Sequence, residues 1–371
     1  MVRIMEPVVD SLPEPRPYFV SHTPKNHKSF TRVAIAHCFI SRLVWAIGTR
    51  LKINVGLLRY LQERSFDFFV SRKLNYPCLL VSTAIIPTSA RKNTEAGGLN
   101  LFVAGNPYDG HISRILENEN KRHLIKIADA YTFQPRLEFI DKFLSAQHEI
   151  VSQSVVTHES FLGKFPGAKK TLVPYELIPN PHLFPDIDIP KHETFTFLYL
   201  ASSVWLKGLT YLIDAWNILG ETNVRLVIAG PIYADVLQAI EDKLPRSVER
   251  IGFVPAAKLN RLYRESHVCI VPSLADDHPA TIPEAMYCGL PVITTKGCGS
   301  RSLISDGKTG FVVPIGDAEA LALRIRWFLE HPDRTHEMGR SARATIDSID
   351  PNKQASEIAA AIQKRLPRKG N

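Results

Sequence analysis

The chain has 371 residues, of which 45% are hydrophobic and 22% charged. That is a globular composition, and the length exceeds one ordinary core, so two domains of roughly 150–200 residues are expected. No segment reaches the ~20 uncharged apolar residues that a membrane-crossing helix needs. The net charge of +8 points to an anionic partner: nucleic acid, an acidic membrane surface or a phosphorylated substrate. The basic residues are dispersed, with no Arg-rich run, zinc finger or aromatic RNA-binding strand, so nucleic acid is not expected.

Cys38, Cys78, Cys269, Cys288 and Cys298 are scattered and lack CxxC spacing. Neither structural zinc nor a disulfide framework is expected, and a reducing, cytoplasmic setting fits. The opening "MVRIMEPVVDSLPEPRPYF" places acids and prolines inside its apolar part, unlike a secretory signal.

In chain order, residues 10 to 30 are rich in Pro and His and show no periodicity. "SRLVWAIGTRLKINVGLLRYLQER" (41–64) mixes apolar residues with Arg42, Arg50, Lys52 and Arg59. It reads either as a helix pair packed on the first sheet or as a basic amphipathic stretch lying on an anionic membrane at the inner face. "CLLVSTAII", "LNLFVAG", "AYTFQ", "EIVSQSVV" and "TLVPYEL" read as buried strands with helices between them. "IPNPHLFPDIDIPKHE" (178–193) holds four prolines and reads as a linker.

The second half is more regular. "TFTFLYLAS" is an apolar strand. "KGLTYLIDAWNILG" follows, with Leu209, Leu212, Ile213 and Trp216 on one helical face and Gly220 as its stop. "VRLVIAGP", "RIGFV", "HVCIVPS", "PVITT" and "GFVVP" are further strands. "YADVLQAIEDKL", "AKLNRLYRES", "TIPEAMYCG" and "AEALALRIRWFLEH" are helices between or after them. Strands apolar on both faces, alternating with helices, predict a parallel sheet covered on both sides. The expected organisation is an α/β protein with a first Rossmann-like domain over 1–180 and a linker over 181–193. A second such domain follows over 194–345, then a C-terminal helix and basic tail over 346–371.

Open parallel sheets bind ligands beyond the carboxyl ends of their strands. "LADDHPA" is such a loop, and "TIPEAMYCG" the helix after it. Asp276 and Glu284 therefore face a crevice. Two readings of Glu284 stay open. Thr281 and Glu284 form a T-x-x-E capping box, or Glu284 holds a ligand. Lys207 sits where a strand turns into a helix. It is either a tolerated surface lysine or the counter-charge for an anion at a helix N-terminus.

"LKGL..LIDAW", "VIAGP", "LNRLYRESHVCIVPS", the D-x7-E from Asp276 to Glu284 running into "EAMYCGLPVITT", and "CGSRSLISDGKTGFVVPIGDAEALA" occur in this order over about residues 194–332. Together they resemble the donor domain of retaining glycosyltransferases of family 4, whose GT-B architecture has two Rossmann-like domains facing across a cleft. The resemblance implies that Asp276 contacts hydroxyls of the donor sugar, Glu284 the ribose, and Lys207 the diphosphate. The family's usual signature is E-x7-E, so Asp276 is a variation on it. Where many members have Gly-Arg before the lysine, Ala201 and Ser202 stand here. Ser202 or Ser203 would hydrogen-bond in place of the missing arginine. Gly230 of "VIAGP", with Ala280 and Thr281 at the helix start, complete the implied donor set. "NLFVAGNPYDGHISRILENE" resembles the segment that carries a histidine near the reacting sugar, which makes His111 the catalytic candidate beside Asp276.

The resemblance implies a metal-independent hexosyltransferase-type enzyme with no cofactor. A nucleotide-diphosphate sugar would be its substrate and a glycan, lipid-linked or small molecule its acceptor. The alternatives are a sugar-nucleotide-binding protein without turnover and a nucleotide-sugar epimerase. "DID" (186–188) has the form of a metal-binding D-x-D but lies in the linker. "GCGSRS" lacks the third glycine of a dinucleotide fingerprint.

Overall fold

The computed structural model describes residues 18–20, 50, 53–72, 74–127, 129–220 and 223–363. Residues 41–49 and 51–52 of the basic amphipathic stretch lie outside the described residues, as do the Pro- and His-rich region apart from Tyr18–Val20 and the last eight residues of the tail. Two compact units emerge. The first takes the described residues up to Asn120, Lys126–Tyr175 and the segment from Asp350. The second takes Lys121–Ile125 and Glu176–Ile349.

The first unit is a five-stranded sheet in sequential order, β1 Tyr18–Val20, β2 Leu79–Ser82, β3 Leu99–Ala104, β4 Glu149–Ser152 and β5 Lys169–Leu172. Every pairing is parallel. Helices Val55–Val70, Pro87–Glu95, Asp109–His123, Gln134–Ser145 and Val155–Phe161 connect these strands. Phe66 and Val70 of one helix, Ile140 and Phe143 of another, and Leu80, Phe102 and Ile150 of the sheet share one core. Parallel strands need such crossovers, and β2, β3 and β4, covered by them, are mostly buried, whereas the edge strand β5 carries Lys169 and Lys170.

One expected strand is absent. "AYTFQ" forms a 3-10 turn, Ala130–Thr132, and the start of the Gln134–Ser145 helix. Asp129 caps that turn: its carboxylate accepts from the Tyr131 amide, and Thr132 Oγ1 accepts from the Asp129 amide. The capping box outweighs the strand preference of the aromatic and β-branched residues.

The second unit is a six-stranded parallel sheet in the order β11-β10-β9-β6-β7-β8. Its strands are β6 Thr196–Leu200, β7 Arg225–Ala229, β8 Val248–Gly252, β9 Val268–Val271, β10 Val292–Thr295 and β11 Gly310–Val313. The chain winds outward from β6 to β7 and β8, crosses back, and continues at β9 on the other flank of β6. β6 and β9 thus border the topological switch point, where a doubly wound sheet opens a crevice at its carboxyl edge. Leu198, Val227, Cys269, Ile282, Ala285, Met286 and Val292 fill the core beneath.

The proline-rich segment is anchored on the second unit. The Pro185 carbonyl accepts from Asn260 Nδ2 at 3.0 Å, and Asp186 pairs with Arg264 at 3.0 Å.

Candidate active site

The switch point is built from three chain turns. After β6 the chain runs through a 3-10 turn, Trp205–Lys207, into the helix Leu209–Leu219. Gly208 joins them with φ 67°, and a Cβ there would lie 2.0 Å from the Pro272 carbonyl oxygen. Only glycine combines that left-handed conformation with so close an approach. The Leu206 carbonyl accepts from the Leu274 amide at 2.8 Å. The turn is thereby fixed to the loop after β9, and Lys207 is delivered over that loop.

The second turn carries Asp276. Its amide donates to the Gly297 carbonyl at 2.9 Å, and its carbonyl accepts from the Gly299 amide at 2.8 Å. The backbone is clamped to the loop after β10, which leaves the side chain to face Lys207. Lys207 Nζ donates to Asp276 Oδ2, which also accepts from Ser273 Oγ at 3.4 Å. The pair is partly buried, with 30% of the lysine and 13% of the aspartate side chain exposed. Lys207, Asp276, Ser273, Tyr199, Ala201 and Thr281 share the lining of a small pocket at the ends of β6 and β9.

The third turn is the helix Thr281–Tyr287. Its N-cap is Ala280, and no side chain caps it. The capping box, one of the two readings of Thr281 and Glu284, does not form. Thr281 Oγ1 donates to the Leu200 carbonyl at 3.0 Å, and Glu284 Oε2 accepts from Tyr263 Oη at 2.9 Å. The two side chains are committed to β6 and to the neighbouring helix Ala256–Glu265, so they are not available to the helix end. Burial pushes the Glu284 carboxyl above the usual range, and the Tyr263 hydroxyl pulls it part of the way back. Tyr263 is fully buried. It was not singled out in the sequence, although "LNRLYRES" puts Leu259, Leu262 and Tyr263 on one face, directed at this helix.

The remaining candidates divide. Ser203 is buried; its amide donates to the Pro231 carbonyl at 2.8 Å, and its carbonyl accepts from the Tyr233 amide. Ser202 is exposed beside it. Gly230 has φ 106°, and a Cβ there would lie 2.1 Å from the Ala201 carbonyl oxygen, so its place here is to let β7 pass the β6 loop. His111 belongs to the first unit, in the opening turn of the helix Asp109–His123 at the carboxyl end of β3. It is half-buried, and burial first and Arg114 second hold its pKa below the ordinary histidine value. Two further polar pairs were not anticipated. His278 Nδ1 lies 2.8 Å from Asp277 Oδ2, and Ser302 Oγ donates to Glu176. Among the described residues no group of three or more His, Cys, Asp or Glu could hold a metal ion.

The switch point of this doubly wound sheet thus carries a cation and two carboxyl groups, at the crevice where open α/β sheets take their ligands. Residues 185–345 match the family of glycosyl transferases group 1. The match extends to the amylovoran biosynthesis glycosyltransferase AmsK of Erwinia amylovora, 32% identical over 47% of this chain and 46% of that protein. The D-rhamnosyltransferase WbpZ of Pseudomonas aeruginosa is 31% identical over 40% of this chain and 39% of its own length. The aligned part thus spans under half of each of these relatives. Among solved structures, the sucrose-phosphate synthase of Thermosynechococcus elongatus superposes with a TM-score of 0.62 at 19% identity, covering 83% of this chain and 79% of that one. Anabaena HepE in complex with UDP gives 0.58 at 16% identity, covering 94% and 98%. The fold is GT-B, with a parallel-sheet α/β unit in each half.

Proposed function

We propose that the chain is a retaining glycosyltransferase of family 4 that moves a hexosyl-type sugar from a nucleotide-diphosphate donor to an acceptor hydroxyl. The observation that carries this reading is the Lys207–Asp276 pair at the switch point. The two charges compensate each other. A diphosphate brings more negative charge than one carboxylate and competes for Lys207. Once the lysine turns to the phosphates, Asp276 is free to accept from hydroxyls of the sugar. Glu284, held by Tyr263, accepts from the ribose hydroxyls.

In this reading Lys207 stabilises the charge that develops on the departing diphosphate. The acceptor hydroxyl attacks from the same face, and its proton passes to the leaving phosphate oxygen, so the anomeric configuration is retained. Asp186 is engaged by Arg264, which argues against a D-x-D metal site and supports chemistry without a divalent ion. The UDP and UDP-glucose complexes of Anabaena HepE support a nucleotide-sugar donor.

A glycan or lipid-linked acceptor is proposed. In its favour, the helix Val55–Val70 exposes 44% of Leu61 and 51% of Phe68, and Arg72 stacks on Phe68 at 3.5 Å. Apolar and basic residues on one face suit an anionic bilayer. Co-sedimentation with phosphatidylglycerol vesicles, absent with neutral ones, is the expected result.

A thermal-shift screen of UDP-, GDP- and ADP-sugars, followed by measurement of released nucleotide, tests the main reading. A shift by one base class and nucleotide release with added acceptor are expected. A shift without release would leave a binding protein, and conversion of the donor without acceptor an epimerase.

A further inference from the structure

Helix Asp109–His123 begins against a buried ion network that the reaction above does not use. Arg136 is 5% exposed. Its Nε and Nη2 donate to the two carboxylate oxygens of Glu63 at 3.0 Å each, and its Nη1 donates to Asp109 Oδ2 at 2.6 Å and to the Ala130 carbonyl at 3.3 Å. Glu63 is 1% exposed and also accepts from Arg59. The network joins three helices and the 3-10 turn. A buried charge triad is costly to desolvate, and an apolar cluster of equal volume would hold those helices together as well or better. What the triad adds is direction: a guanidinium held bidentately by Glu63 fixes Asp109, the first residue of its helix, in one place through Nη1.

Two neighbouring contacts act on the same turn. The Tyr108 amide donates to Ser160 Oγ at 2.8 Å, and its hydroxyl donates to Asp141 Oδ1 at 2.8 Å. The Tyr108 carbonyl accepts from the His111 amide at 2.8 Å. Gly110 lies against the Tyr108 ring, where a Cβ would come within 2.7 Å. His111 is thus held by a turn whose residues on its N-terminal side are anchored to buried or half-buried partners.

We propose that Arg136 is a positioning residue. Through Asp109 it sets the place of the His111 imidazole at the carboxyl edge of the first sheet, where the acceptor would bind. This rests on the reading of His111 as the histidine near the reacting sugar. The experiment therefore has one arm that needs no turnover.

Arg136→Met alone strands two buried carboxylates and endangers folding, so it is paired with the triple variant Glu63→Gln/Arg136→Met/Asp109→Asn, which removes all three charges. The His111 ring resonance, identified by its loss in His111→Asn, is titrated by NMR. In the parent it should titrate below an ordinary histidine. In the triple variant its midpoint should rise toward the ordinary value as the ring gains solvent. With the donor found by the screen, kcat should fall roughly ten- to a hundredfold, since misplacement of about 1 Å costs that order. The KM for donor should be unchanged, and the triple substitution should cause no further loss in a His111→Asn background. An unmoved His111 midpoint, or a kcat loss that persists undiminished in His111→Asn, would overturn the proposal. If His111→Asn keeps parental kcat, the assignment of His111 itself fails, and with it the positioning role in catalysis.

Discussion

Lys207 and Asp276 hold each other, so removing either charge releases the other. Lys207→Ala should weaken UDP binding roughly tenfold or more, since a charged hydrogen bond contributes about 1.5–3 kcal/mol. Asp276→Asn frees the lysine, and should leave UDP affinity unchanged or tighter while turnover of the full donor collapses. Calorimetry with UDP and a turnover assay on both variants check this; a parallel loss of UDP affinity in both would show that the pair acts only as a structural bridge. Glu284 makes a different prediction. Burial raises its pKa, so folding favours the protonated carboxyl. That contribution is fully present below the unfolded carboxyl range and is lost as pH rises through the folded pKa. Above the folded pKa the ionised side chain therefore costs stability. Glu284→Gln should raise the melting temperature at pH values above the folded pKa, converge with the parent as pH falls below the unfolded carboxyl range, and lose UDP affinity. Melting curves from below the unfolded carboxyl range to alkaline pH decide it; a lower melting temperature throughout would show that Glu284 supports the fold.

The elements around the site differ in how far the sequence displayed them. The inner strands of the second unit were legible because they are short, apolar on both faces and followed by a turn residue, as covered parallel strands are; the edge strand β8, with Glu249, Arg250 and Ile251 exposed, does not share that pattern. The first unit was less legible where local hydrogen bonding overrode composition, as at Asp129 and Thr132 in "DAYT". The Thr281–Glu284 pair failed in the opposite sense. The spacing of a capping box is correct, but Leu200 and Tyr263, distant in sequence, offer these side chains other partners. No pattern within one helix can announce that. The sequence placed Lys207 and Asp276 on loops at strand ends, but their mutual pairing was not legible, since it depends on β6 and β9 being neighbours. Gly208 is where element and site meet. Gly208→Ala must leave the left-handed region and push the turn away from Pro272, at a cost of at least about 1 kcal/mol. Because Lys207 precedes it, UDP affinity should fall together with stability. Retained affinity in the folded fraction, measured by titration after removal of aggregates, would place Lys207 outside the donor site.

At the scale of the whole molecule the two units are not simple halves of the chain. The segment from Asp350, including the helix Pro351–Gln363, clusters with the first unit, although Pro332–Asp347 immediately before it closes the second. A donor that binds only the second unit stabilises that unit alone, by about 2.7 kcal/mol at a hundredfold excess over Kd. Truncation after Ile349 separates the two contributions. The shortened chain should lose stability in the first unit, seen as faster hydrogen exchange in β2 to β4. The exchange rates of β6, β9 and β10, and their slowing by UDP, should stay as in the parent, because every contact described for Lys207, Asp276, Thr281 and Glu284 lies within Glu176–Ile349. Loss of the UDP response on truncation would mean that the donor site needs the terminal helix. Unchanged exchange in β2 to β4 would mean that the helix contributes nothing to the unit with which it clusters.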